Sequence, residues 1–84
     1  MTQISILEHV VYADGSTNPV TANITREGCV VQWQESNVSL TWDQMADAEH
    51  LSNVFEDVTV RVFKCIVQML GKVYANQAAY MMVL

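Results

Sequence analysis

Basic residues are scarce in this sequence, and their scarcity restricts the partners that we expect it to bind. The chain has 84 residues, with four Lys or Arg against nine Asp or Glu, and a formal net charge of −5. Binding to nucleic acid needs clustered Lys and Arg side chains to neutralise phosphates. We therefore expect no direct binding to nucleic acid. Because an acidic surface attracts a basic one, the charge favours a basic protein as partner.

Glycine and cysteine are also rare, and this excludes the common cofactor and catalytic motifs. The three glycines form neither a G-x-G-x-x-G nor a G-x-x-x-x-G-K phosphate-binding loop. Cys29 and Cys65 do not have the close spacing of a metal-binding or redox motif. No local motif singles out a Ser/His/Asp or Cys/His catalytic set. The sequence therefore predicts a protein that is not an enzyme and that binds no cofactor.

Long hydrophobic runs and a secretory signal are absent as well. The first ten residues, MTQISILEHV, contain no basic region, and Ser5, Glu8 and His9 interrupt their apolar run. The apolar stretch AAYMMVL near the other end is too short to span a bilayer. We expect a single domain over residues 1–84, located in the cytoplasm with reduced thiols and without a membrane partner.

The first half of the chain has the composition of antiparallel strands. The dipeptides Asp14-Gly15 and Glu27-Gly28 are typical of turns. Around them lie runs rich in β-branched residues with alternating apolar positions: ISILEHVVY, VTANIT, CVVQWQ and a shorter VSLTW. A capping box at Ser5 would instead predict a helix for the first run, but β-branched residues dominate there. The pattern favours a meander with one apolar and one polar face.

Two capping boxes in succession predict helices in the second half. Thr41-x-x-Gln44 precedes a short helical pattern, WDQMADAEHL, and Asn53-x-x-Glu56 precedes a long one from about Val54 to Ala78. The fold class that follows is α+β. We expect an antiparallel β-sheet of three or four strands over residues 3–41, then a short helix and a long C-terminal helix packed on one sheet face.

The predicted long helix is apolar over most of its circumference, whereas a helix docked on one sheet needs an apolar stripe a little over 100° wide. One flank suffices to cover the sheet, so the other needs the short helix, a partner or a second copy of the chain. Exposed apolar patches on small proteins usually mark interaction sites, so we expect a homodimer. The candidate surface, here called the apolar flank, consists of Val60, Phe63, Val67, Leu70 and Tyr74.

Charge is divided unevenly along the chain. All nine acids lie in residues 1–57 with Arg26 as the only base, which gives −8, whereas residues 58–84 hold three bases and no acid. Carboxylates one helical turn apart have Cβ atoms about 5–6 Å apart, which approaches the spacing of neighbouring phosphates. An acidic surface of this kind would attract a groove built for nucleic acid. The candidate partner-binding residues are Asp43, Asp47, Glu49, Glu56 and Asp57.

These acids also have simpler interpretations. Asp43, Glu56 and Asp57 fall in predicted first helical turns, where a negative charge complements the helix dipole. Asp43, Asp47 and His50 have the i, i+4, i+7 spacing of metal ligands, but a site would need a further ligand from elsewhere. We expect no metal site.

In size, charge and lack of other motifs, the chain resembles in general type the small acidic proteins that phages encode against host defences, anti-CRISPR proteins among them. The resemblance implies a non-enzymatic protein-binding module that inhibits a larger, nucleic-acid-handling complex. The alternative is a structural homo-oligomeric subunit that assembles through its long apolar C-terminal helix.

Overall fold

The computed structural model of the chain describes residues 4–77, which form an antiparallel sheet followed by helices. The predicted α+β fold is confirmed, while residue 3 and Ala78, the outer ends of the predicted sheet and long helix, lie outside the described residues. The strands are β1 (Ile4–Val11), β2 (Thr17–Ile24), β3 (Gly28–Trp33) and β4 (Ser36–Thr41), and the helices are α1 (Trp42–Met45), α2 (Ala48–Val54) and α3 (Val60–Ala75).

The sheet is a meander in which each strand pairs with the next, in the order β1-β2-β3-β4. Alternation along the strands gives the sheet two different faces. The covered face carries the buried side chains of Val10, Val20, Ala22, Ile24, Cys29, Val31 and Leu40. The opposite face is covered by none of the helices and carries mainly Ser, Thr, Asn and Gln. One apolar and one polar face is the pattern that the sequence predicts.

Gly28 begins β3 at a point where two backbones approach closely. A Cβ atom at this position would overlap the carbonyl oxygen of Leu40 and lie 2.8 Å from the Cα of Thr41. Since both obstacles are backbone atoms of the neighbouring strand, a side chain at position 28 cannot be accommodated by a rotamer change. Glycine is therefore required for the pairing of β3 with β4.

The start of α1 confirms the predicted capping box at Thr41, whereas the start of α3 contradicts the one predicted at Asn53. The hydroxyl of Thr41 accepts a hydrogen bond from the Gln44 backbone, and the Gln44 side chain accepts one from the Thr41 backbone. The long helix, in contrast, begins at Val60 with Thr59 as its cap, so the predicted start at Asn53-x-x-Glu56 is wrong.

The reason for the late start of α3 is a contact between two phenylalanines. The rings of Phe55 and Phe63 lie 6.5 Å apart, although residues eight positions apart in one continuous helix would be separated by about 12 Å along its axis. A turn between α2 and α3 therefore brings the rings together and buries Phe55. This packing outweighs the local helix signal.

The helices divide the covered face between them. Helix α3 packs on β1 and β2, whereas α1 packs on β3 and β4 and against α2. The inner side of α3 inserts Val62, Ile66, Met69, Leu70 and Val73 into the core. Spacings of three and four residues place these side chains on one helix face. The positions of α1 and α3 determine which flank of α3 is covered by other side chains. They also determine which edge strand has no element packed beside it.

Candidate interaction surfaces

Residues 42–57, which we call the acidic segment, present the five predicted carboxylates to solvent. The segment comprises α1, α2 and the turn after α2, and it contains no Lys or Arg. Among residues 4–77 the only ion pair joins Lys72 to Glu8, outside this segment. None of the carboxylates of the segment therefore forms an ion pair within residues 4–77. The exposed carboxylates belong to Asp43, Asp47, Glu49, Glu56 and Asp57.

The helix is interrupted between Asp43 and Asp47, so these two acids do not lie in one continuous helix. Helix α1 ends at Met45, and Asp47 caps α2 by accepting a hydrogen bond of 3.2 Å from the His50 backbone N–H. The prediction of one continuous helix through this pair is therefore wrong, while both carboxylates are exposed.

The same break separates the side chains that had the spacing of metal ligands. Asp43 lies in α1, Asp47 is a capping residue, and His50 lies in α2, so the three do not share one helix face. Within residues 4–77, no group of three or more His, Cys, Asp or Glu side chains is arranged to hold a metal ion.

Further acids lie in the hairpin turns at both ends of the acidic segment. At one end, Trp42 donates its backbone N–H to the Glu27 carbonyl at 3.2 Å and its indole N–H to the Arg26 carbonyl at 3.0 Å. These bonds fix the β2–β3 turn beside the start of α1. At the other end, Asp57 and Gln34 line a common cavity of about 390 Å³, which places the β3–β4 turn near the end of the segment.

The apolar flank of α3 is partly covered within the chain. Leu70 is only 3% exposed, and Phe63 packs against Phe55. Tyr74 packs edge-on against Trp42, with ring centroids 5.8 Å apart, and its hydroxyl donates to the Trp42 carbonyl.

Three residues of the flank remain open to solvent. Val60, Val67 and Tyr74 are 70%, 42% and 37% exposed. The flank is partly covered by Trp42 of α1 and by Phe55, which directly follows α2. The positions of these two side chains depend on the turn before α3. The flank thus offers a smaller apolar surface than its sequence pattern predicts.

The side of α3 that lies next to β1 carries polar side chains. Lys72 forms an ion pair with Glu8, and Arg61 donates from Nη1 to the Val11 carbonyl at 2.6 Å. Cys65 lies between these contacts, where burial and the Glu8 charge raise the pKa of its thiol, opposed by the Lys72 charge. Sequence reasoning missed these bonds, because they join positions that are far apart in the chain.

The uncovered sheet face is polar without formal charge. Ser5 donates to the Asn23 side chain at 2.6 Å, and Asn23 donates to Gln32 at 3.4 Å, so a row of hydrogen bonds crosses three strands. A shallow cavity of about 520 Å³ lies at one end of this face. It is lined by Asn18, Pro19, Thr21, Gln32, Gln34, Glu35 and Asn37.

Within residues 4–77, every helix is too short or too polar to cross a membrane. Comparison of the chain with protein-family models, curated proteins and solved structures finds no match. Its function must therefore be argued from the surfaces described above.

Proposed function

We propose that the protein is a non-enzymatic inhibitor that binds a basic, nucleic-acid-handling complex through its acidic segment. The observation that supports this proposal is the set of five exposed carboxylates, none of which forms an ion pair among the described residues. In general type it would act like the proteins that phages direct against host defences, anti-CRISPR proteins included. Its place of action would be the cytoplasm.

The physical basis is electrostatic competition. A groove that binds nucleic acid is lined by Lys and Arg, which lose their counterions when a polyanion binds. Carboxylates held on a folded surface offer the same sign of charge to that groove and steer the encounter. Surface charges are screened over about 8–10 Å at physiological ionic strength, so binding must weaken as salt rises.

The cover over the apolar flank favours this proposal over assembly through α3. Leu70 is buried and Phe63 packs against Phe55, so Val60, Val67 and part of Tyr74 are left for a contact through that flank. A stable interface usually buries about 800 Å² on each partner, which is more than three partly exposed side chains supply.

Affinity capture from bacterial lysate tests the proposal when two matched variants are compared. In the first, the substitutions Asp43→Asn, Asp47→Asn and Glu49→Gln neutralise part of the acidic segment. In the control, Asp14→Asn, Glu27→Gln and Glu35→Gln remove the same charge from the hairpin turns. Both changes are isosteric and raise the net charge equally.

We expect the wild-type protein to retain a nucleic-acid-handling complex that elutes with rising salt or with added nucleic acid. The control variant should retain it nearly as well, whereas the first variant should lose it. Equal loss with both variants would mean that only net charge matters. Undiminished capture by the first variant would contradict the proposal.

A further inference from the structure

Strand β1 is an edge of the sheet, and half of its backbone groups point away from β2. Tyr12, just after the strand, donates its N–H to Ser16 and accepts from Gly15, so its backbone faces β2. In an antiparallel pair, successive residues point their N–H and C=O groups alternately toward and away from the partner. The outward groups therefore belong to Ser5, Leu7, His9 and Val11.

Most of these outward groups have no partner among residues 4–77. The Val11 carbonyl accepts from Arg61 at 2.6 Å, and this bond closes one end of the edge. The backbone groups of Ser5, Leu7 and His9 take part in no hydrogen bond in the described part of the chain. Three consecutive outward positions are thus available for a further strand.

Apart from one inward-pointing charge, the usual protections of an edge strand are missing from β1. Natural edges carry Lys, Pro, bulges or a covering element that prevents pairing with another chain. β1 extends over eight residues without Pro, Lys or Arg, and its one formal charge, Glu8, points to the covered face and pairs with Lys72. Leu7 and Val11 on the open face are 57% and 55% exposed.

We propose that β1 pairs antiparallel with β1 of a second copy of this chain, around a two-fold axis at Leu7. In this register Leu7 faces Leu7 of the copy, and Ser5 faces His9 in both directions. Each of these pairs exchanges both backbone bonds, so all the free outward groups are used. The interface is isologous, the commonest form in homo-oligomers. The two sheets then form one continuous sheet.

Two features favour β1 over β4 as the contact strand. They are the acidic residues beside β4 and the need for the assembly to close into a dimer. β4 lies between the exposed acids Glu35 and Asp43, and the Thr41 N–H at its end is already bound by the Gln44 side chain. Two β4 strands would bring like charges together. Pairing of β1 with β4 of another copy would leave free edges and produce open filaments instead of a closed dimer.

This dimer goes beyond the proposed function and does not depend on it. Helix α1, which carries Asp43 of the acidic segment, packs on β3 and β4, away from the β1 edge. Dimerisation would therefore leave Asp43 of both copies exposed toward the outer ends of the joined sheet. A bivalent acidic ligand would gain avidity on a partner with two basic sites.

Sedimentation equilibrium of the full chain over a wide concentration range tests the interface. The Leu7→Lys variant places two ammonium groups opposite each other at the axis, where like charges destabilise pairing. The control is Thr21→Lys, because Thr21 is the cross-strand neighbour of Leu7 on the same open face but lies in an inner strand. We expect a wild-type dimer, an unaffected control, and dimerisation at least about tenfold weaker with Leu7→Lys.

Disulfide trapping tests the register independently. In a Cys65→Ser background, Leu7→Cys should form an intermolecular disulfide under mild oxidation, because hydrogen-bonded cross-strand Cα atoms lie about 5.5 Å apart. The matched control, Val11→Cys, is on the same edge and similarly exposed. Its two copies would be about 26 Å apart in the proposed register, from a rise of about 3.3 Å per residue, and should not cross-link.

Several results would overturn the proposal. They are a wild-type monomer at every concentration, growth of open filaments, and a dimer that survives Leu7→Lys with no cross-link through position 7. A dimer abolished instead by Val67→Glu would place the interface on the apolar flank of α3 and also refute pairing through β1. Because none of these measurements involves the acidic segment, failure here and failure of the proposed function are distinguishable.

Discussion

Lys72 of α3 and Glu8 of β1 form an ion pair across 64 positions of sequence. The pair ties the helix to the strand that forms the sheet edge. Glu8 lies on the covered face of the sheet, where its side chain is 26% exposed, so the Lys72 ammonium satisfies a carboxylate with limited access to water.

We predict that Lys72→Ala lowers the free energy of unfolding by up to about 1 kcal/mol, the upper range for partly exposed pairs. Lys64→Ala is the matched control, because Lys64 is exposed on the same helix and has no ion-pair partner within residues 4–77. The control should change stability by less than about 0.5 kcal/mol. Urea denaturation measures the free energy of unfolding of both variants. Equal losses would show that the ion pair does not stabilise the fold.

Two glycine substitutions should have opposite effects on stability. Gly28→Ala forces a Cβ into the backbone of β4, and we expect a loss of more than about 3 kcal/mol or failure to fold, as for other severe steric clashes. Gly71→Ala meets no atom within 4 Å and lies in α3, so it should stabilise the protein by about 0.5–1 kcal/mol. Thermal unfolding of the two variants gives the comparison, and a stable Gly28→Ala protein would contradict the pairing of β3 with β4.

The buried thiol of Cys29 should make stability fall at alkaline pH. Burial raises the pKa of Cys29 from its ordinary value of 9.0 to about 11. Below pH 9 the thiol is neutral in both the folded and the unfolded chain. Between pH 9 and about 11 the unfolded chain loses this proton first, so the free energy of unfolding falls as pH rises.

The Cys29→Ala variant isolates this effect from the other groups that titrate in the same range. We expect the wild-type protein to lose more stability than the variant between pH 9 and 11, measured by urea denaturation at each pH. Parallel curves for the two proteins would show that the thiol ionises equally in both states.

Asp47 has a structural role that must be separated from its charge. Its carboxylate caps α2, so Asp47→Ala should cost about 0.5–2 kcal/mol, typical of a lost N-cap. Asp47→Asn keeps an oxygen acceptor and should cost only a few tenths of a kcal/mol. Chemical denaturation distinguishes the two variants, and similar costs for both would mean that the charge itself stabilises the helix start.

Local signals in the sequence predicted much of the fold correctly. The capping box at Thr41 and the alternation in β1 depend on residues two to four positions apart, so they survive in the folded chain. The box at Asn53 failed because burial of Phe55 against Phe63 requires a turn there. The break at Asp47 was missed, although Asp is a preferred N-cap residue, because the run WDQMADAEHL was interpreted as one helix.

The candidate surfaces were harder to predict, because their exposure depends on contacts between distant elements. Cover over the apolar flank comes from α1 and α2, through Trp42 and Phe55. The free edge of β1 follows from the strand order and from the direction of its backbone groups. Neither can be read from residue spacing, whereas the acidic composition of residues 42–57 was visible in the sequence.

Under the proposed function, the acidic segment occupies a site for nucleic acid on the partner. The most direct measurement is displacement of a fluorescently labelled nucleic acid from the captured complex, followed by anisotropy at low and high salt. We predict that the wild-type protein displaces the nucleic acid, less strongly as salt rises. The variant with Asp43→Asn, Asp47→Asn and Glu49→Gln should displace it at least about tenfold less well. Nucleic acid that stays bound beside the protein, or equal displacement by both proteins, would contradict the claim.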